Sequence, residues 1–231
     1  MILNRRCFAL AALVGTLQLV TAGDITGKIT LKGTPLPEKD LPLDPNCGKI
    51  HPTKKTRLYV VGAGGELADT FVSIKDASGK QFALPEKPHL IDQHGCEYNP
   101  YVSGAMVNQK ILVRNSDPVL HNVHTLPAVS GNKESNTAQL PKSKDLEYAF
   151  PKEESFLKFK CDVHPWMFAY VSVLNHPFFS VSGTDGTFKI ANVPAGKYTV
   201  EAMHRKAGKQ TMEVEVPATG SKEVNFTLDV K

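Results

Sequence analysis

Cys161-Asp-Val-His164-Pro-Trp-Met167 places a thiol, an imidazole and a thioether within seven residues, directly after an alternating apolar–polar segment. About forty residues upstream stands His121-Asn-Val-His124, behind a second alternating segment. Two imidazoles and one thiolate in a near-trigonal plane, with a weak axial thioether, are the donor set of a mononuclear copper site that exchanges electrons. Soft sulfur favours Cu(I) and imidazole tolerates both oxidation states, so such a site reorganises little between them. The loop supplies Cys161, His164 and Met167, and the upstream pair offers His121 or His124 for the remaining position.

Other chemistry lacks its parts. A trinuclear oxidase cluster needs His-x-His pairs, and a binuclear copper centre needs two cysteines in the ligand loop, whereas this loop has one. No nucleophile elbow, phosphate-cradling loop or dinucleotide fingerprint occurs. The chain is therefore read as a non-enzyme. Its formal charge of +4 includes Arg5 and Arg6; without them 25 basic residues face 23 acidic ones, with no basic stripe to suggest nucleic acid.

Residues 1–22 read as an export signal: Asn4-Arg5-Arg6, an apolar run from Phe8 to Val20, and small residues before Gly23. Arg5-Arg6-Cys7-Phe8 also resembles a twin-arginine signal, although two basic residues open many ordinary secretory signals. The run is too short to span a bilayer, and no later stretch reaches the roughly 20 apolar residues a transmembrane helix needs. The expected location is periplasmic or secreted. Cys47, Cys96 and Cys161 remain after the signal, an odd number in a compartment that favours disulfides. With Cys161 beside metal-ligand types, Cys47 and Cys96 are the expected disulfide, tying a long N-terminal loop to the metal unit. Cys47 with His51, and His94 with Cys96, offer a zinc-like alternative on looser spacings. His89, His176 and His204 have no evident partners and are expected at the surface.

The elements that must position these residues read as strands. Alternation runs through Asp24–Leu31, Thr70–Lys75, Lys110–Asn115, Phe156–Cys161, Tyr170–Leu174, Thr187–Ile190, Tyr198–Met203, Gln210–Val216 and Glu223–Leu228, with Gly- and Pro-rich turns between them. No long helical period with caps occurs, and short, evenly spaced strands indicate all-β sandwiches.

Tyr98-Asn-Pro100, Arg114-Asn-Ser-Asp117, Pro118-Val-Leu-His-Asn-Val-His124 and the Cys161–Met167 loop resemble the cupredoxins, and among them amicyanin. The resemblance covers most of residues 96–174. It implies that the first histidine of His-Asn-Val-His is the ligand, which gives His121, Cys161, His164 and Met167 around one copper ion. His124 then faces solvent or packs. Asn122 is expected to hydrogen-bond across to the ligand loop, Pro165 to stiffen it, and Trp166 to be either a docking surface beside a partly exposed His164 or a core aromatic. The chain also resembles a group of bacterial secreted methylamine-utilisation-protein-like cupredoxins.

Gly183-Thr-Asp-Gly-Thr-Phe-Lys-Ile-Ala-Asn-Val-Pro-Ala-Gly-Lys-Tyr-Thr-Val resembles the carboxypeptidase regulatory-like domain, a transthyretin-like sandwich. The tail alone is thin for a sandwich, and Gly27–Leu36 and Thr70–Lys75 look like the opening strands of the same domain. Residues 24–80 and 176–231 are thus expected to form one discontinuous sandwich with a cupredoxin-like Greek-key sandwich, residues 81–175, inserted between them; two consecutive domains are the alternative. The implied task is one-electron carriage between periplasmic redox partners. The rivals are copper binding or delivery, and a surface interaction module whose copper site is incidental.

Overall fold

The structure, a computed structural model, describes residues 21–51, 53–75, 77 and 81–231. The export segment up to residue 20, with Arg5, Arg6 and Cys7, lies outside the described residues. The N-terminal part contributes β1 (Ala22–Lys32), a short helix α1 (Pro45–Ile50) and β2 (Phe71–Ile74). The middle contributes β3 (His89–Gln93), β4 (Tyr98–Asn99), β5 (Val102–Met106), β6 (Ile111–Asn115), β7 (His121–Leu126), β8 (Ser135–Gln139), β9 (Leu146–Tyr148), β10 (Glu154–Lys160) and β11 (Phe168–Leu174). The tail contributes β12 (Phe179–Val181), β13 (Thr187–Pro194), β14 (Gly196–His204), β15 (Gly208–Val216), β16 (Ser221–Glu223) and β17 (Phe226–Asp229). Among the described residues no helix is long and apolar enough to cross a membrane.

Among the described residues the strands form an all-β arrangement of four sheets. Two are built from the middle of the chain, in the orders β5-β11-β10-β7-β8 and β4-β3-β6-β9. Pairing is antiparallel except for β5 with β11 and β3 with β6. Between these sheets lies a core in which Ile91, Ile111 and Val113 share a cluster with Val123, Leu157, Phe159 and Val171. The other two sheets combine both ends of the chain: β13-β1-β16 with β17 also on β1, and β12-β2-β14-β15. Their core holds Ile25 and Ile29 from the start of the chain with Ile190, Val200, Val214 and Phe226 from its end. Period-two alternation produces this where one face of a strand is withheld from water, as in β1 and β6, whereas β2, β5 and β11 are buried on both faces.

A third apolar cluster joins the two sandwiches. Phe71 of β2 lies with Tyr101, Val102 and Tyr170, and Phe156, Phe168 and Phe179 pack against them. Gly104 of β5 is required here. A Cβ at that position would sit 2.4 Å from the Phe179 ring and 2.8 Å from the Phe71 ring, so only a residue without one lets both rings close on the strand. Arg205 closes the edge of the cluster. Its guanidinium lies 4.8 Å from the Phe168 ring centre and 4.9 Å from that of Tyr170, and it donates to the Tyr101 hydroxyl at 2.8 Å.

The segment between β1 and β2 divides its contacts. Tyr59 and Leu67 belong to the core shared by the chain ends, whereas Leu43, Cys47 and Ile50 pack into the core of the middle unit. α1 starts because Asp44 caps it, accepting from the Asn46 and Cys47 amides at 2.8 and 3.3 Å, with proline at its opening. It stays short, since His51 has returned to extended backbone by its C-cap.

Candidate metal centre

The ligand types converge at the end of the middle sandwich, where β7 begins and β10 ends. Alternation along β7 puts His121, Val123 and Thr125 on the core face and turns His124 to the other. That decides between the two histidines. His121 is completely buried beside Cys161, while His124 sits between the Asp162 carboxylate at 2.8 Å and the Glu134 carboxylate at 2.7 Å. The loop after β10 folds tightly. Cys161 N–H donates to the Met167 carbonyl at 3.0 Å, and Met167 N–H donates to the His164 carbonyl at 2.9 Å. Met167 is buried in the same cluster as Cys161. Pro165 stands inside this closed turn, where its fixed φ limits the conformations the loop can take.

Three donor atoms meet. His121 Nδ1 and His164 Nδ1 are 2.9 Å apart, and Cys161 Sγ lies 3.7 Å from His164 Nδ1. All three residues are buried, with nitrogen and sulfur within 4.8 Å of one another. The opposite edge of each ring faces a carboxylate: Asp117 Oδ2 is 2.9 Å from His121 Nε2, and Asp44 Oδ2 is 3.1 Å from His164 Nε2. The second contact has ion-pair distance without the alignment of a hydrogen bond, so Asp44 Oδ2 has no hydrogen-bonding partner of its own. Carboxylates only accept, so the bond to Asp117 puts the proton of a neutral His121 on Nε2 and turns its Nδ1 lone pair toward His164 and the sulfur, while Asp44 sets negative charge beside His164 Nε2. Two acceptors at 2.9 Å repel unless a proton or a metal ion stands between them. Two imidazole nitrogens, a buried thiol and a neighbouring methionine are a soft set that fits copper.

Electrostatics favours the thiolate form of the sulfur. Burial opposes ionisation of Cys161, yet the His121 ring and the amides of Asn122, His164 and Val163 outweigh it and hold the thiol below its ordinary range. Burial lowers His164, and His121 adds to that. For His121, burial is overcome by Asp117 and Cys161, and the net direction is upward. Asp117 is nearly inaccessible, but the His121 ring and the Cys96 and Gly95 amides hold it ionised.

Asn122 spans from β7 to the ligand loop. Its Oδ1 accepts from the Asp162 and Val163 amides at 2.6 and 3.3 Å, and its own amide N–H points at Cys161 Sγ at 3.4 Å. Trp166 neither stands free nor joins the core outright. Its indole N–H donates to the Cys96 carbonyl at 3.2 Å, its ring centre lies 5.3 Å from that of His164, and one side lines a cleft of about 110 Å³ with Met167, Tyr101 and Arg205. Cys47 and Cys96 form a disulfide, so neither thiol is available for the zinc-like grouping with His51 and His94.

Three sequence expectations are corrected. His164 is 5% exposed rather than partly exposed, because Asp44 and α1 cover its outer edge. His176 and His204 are buried rather than at the surface. Each uses Nδ1 to accept a following backbone N–H and lays its ring on an aromatic, Phe178 for His176 and Tyr59 for His204. His89 is half-buried, its Nε2 at 2.9 Å from the Ser103 hydroxyl. The carboxylates of Asp44 and Asp117 were not anticipated. Asp44-Pro45 carries the signature of a helix start, which would have located α1, but no local pattern shows that either residue faces an imidazole.

No protein-family model matches the chain, and no curated protein does. Parts of it resemble solved structures. A Cu-containing nitrite reductase from Thermus scotoductus SA-01 is 20% identical over 43% of this chain with a TM-score of 0.34, and the match spans 25% of that enzyme's length. An amicyanin variant in its Cu(I) state is 19% identical over 44% of this chain and 97% of its own, with a TM-score of 0.34. A purple cupredoxin from Nitrosopumilus maritimus is 23% identical over 37% of this chain and 98% of its own, with a TM-score of 0.31.

Proposed function

We propose that this chain is an exported mononuclear copper protein of the cupredoxin type that carries single electrons between redox partners and is not itself an enzyme. The observation that supports it is the meeting of His121 Nδ1, His164 Nδ1 and Cys161 Sγ in a buried space, the nitrogens 2.9 Å apart. Copper bound there supplies a one-electron couple between Cu(II) and Cu(I). Cys161, His121, His164 and Met167 would hold the ion, with the thiolate as the strongest donor and the thioether as the weakest. Burial keeps water from the donors. Asn122 and Pro165 hold the loop so that the donor positions persist in both oxidation states. In this reading residues 81–175 are the copper unit, and residues 24–80 with 176–231 are a scaffold sandwich, with the stretch around α1 reaching across to cover the metal end.

Purified chain loaded with copper is expected to retain one ion and to show an intense visible thiolate-to-copper absorption that one electron equivalent bleaches reversibly. Cys161→Ser is expected to abolish that absorption. Failure of the wild-type chain to hold copper overturns the reading. Loss of the ion within minutes to a modest chelator favours a delivery role, in which the metal rather than the electron is the cargo.

A further inference from the structure

The disulfide sits between the two carboxylates that face the ligand imidazoles. Cys47 N–H donates to Asp44 Oδ1 at 3.3 Å, and the other oxygen of Asp44 faces His164 Nε2 at 3.1 Å. Cys96 N–H donates to Asp117 Oδ2 at 2.8 Å, and that oxygen faces His121 Nε2 at 2.9 Å. The Gly95 amide donates to the remaining Asp117 oxygen at 2.6 Å. The S–S bond therefore joins two short backbone stretches, each holding one carboxylate against one ring. Asp117 is 1% exposed, and burying an ionised carboxylate so fully is costly unless its partners compensate. Backbone carbonyls could orient the rings without that cost. What a carboxylate adds is negative charge.

We infer that Asp44 and Asp117 are a pair of positioning residues, braced by the Cys47–Cys96 disulfide, that set negative charge behind His164 and His121, Asp117 holding His121 as the Nε2–H tautomer, and bias the copper centre toward Cu(II). The inference rests on the proposed copper reading. With the Cys161 thiolate they place three negative charges around the ion, and the higher charge state gains more from them. Removing either charge therefore raises the reduction potential and weakens the hold on a divalent ion, an effect of about 10- to 100-fold in affinity for partners of metal-bound histidine.

Asp44→Asn is the informative variant. Asparagine caps a helix as well as aspartate does, so α1 is kept while the charge goes. At a fixed applied potential the ratio of reduced to oxidised copper is expected to rise about tenfold, an upward shift of about 59 mV for a one-electron couple. Asp40→Asn, an exposed charge of the same segment, is expected to leave the ratio within about twofold of wild type. Asp117→Asn is expected to be more severe, because the new amide group must point at backbone N–H donors or force His121 into the other tautomer. Copper–thiolate absorption with an unchanged potential in Asp44→Asn overturns the inference. If the wild type gives no such absorption, the copper reading fails and the tautomers decide the positioning role. Imidazole ¹⁵N shifts of the metal-free protein above the histidine titration range are expected to show Nε2–H at His121. Asp117→Ala is expected to release it. An Nδ1–H signal at His121 in the wild type, or no change in Asp117→Ala, overturns the positioning role.

Discussion

Asn122 is where one side chain does most for the geometry of the centre. Its carbonyl oxygen takes two amides of the ligand loop, its side-chain N–H donates to Asn136 at 2.6 Å, and its backbone N–H faces the sulfur. Truncation leaves the Asp162 amide without its partner in a half-buried position, and an orphaned polar group costs about 1–3 kcal/mol. Asn122→Ala is expected to lose that much stability in urea unfolding, to broaden the visible band and to release copper faster. His124, one strand register further on, is the contrast. Its ring bonds to Asp162 and Glu134 on the outer face, so His124→Ala is expected to leave the visible spectrum unchanged.

At the scale of elements, α1 and the disulfide form one device. The bridged cysteines are separated by 49 residues, and closing a loop of that length removes unfolded-state entropy worth about 4 kcal/mol in the chain-entropy model. The double variant Cys47→Ala/Cys96→Ala is expected to lose about 2–5 kcal/mol in urea unfolding at equal m-value. It also frees α1 from the middle core, where Leu43 and Ile50 pack, and so uncovers the His164 edge. Faster copper loss to a chelator in the double variant, beyond that seen in Asp44→Asn, measures this cover.

At the scale of the whole molecule the aromatic seam around Gly104 holds the two sandwiches together. Gly104→Val drives a branched side chain into the Phe179 and Phe71 rings, and overpacking of this kind costs about 1–3 kcal/mol. The expected result is a lower melting temperature with the copper spectrum intact. Stability also depends on pH through His204. Burial, reinforced by Arg205, depresses its pKa from 6.5 to about 4, and its Nδ1 is occupied by the Lys206 and Ala207 amides. A depressed histidine stabilises the fold fully above its unfolded value, and the contribution is lost as pH falls from about 6.5 to about 4. The loss is about 3 kcal/mol. His204→Gln is expected to flatten the slope of unfolding free energy over that window.

The sequence alone determined the class of the fold and the chemical types at its centre. Alternation at period two marks β1, β6 and β10 because each hides one face, and the Cys161–Met167 loop shows three donor types because they lie within one turn. Strands without such a pattern were not legible. β8, Ser-Asn-Thr-Ala-Gln, lies at a sheet edge with little apolar surface to hide, and β5 is buried on both faces. Only the tertiary structure turned His124 away from the sulfur, sealed His164 under Asp44 and set Asp117 against His121. Those contacts join residues on separate elements, and a side chain's pairing across space leaves no mark on its neighbours in the chain. The donor atoms can be read from composition and spacing. Which way the His121 lone pair points is decided by the carboxylate that the fold brings behind its ring.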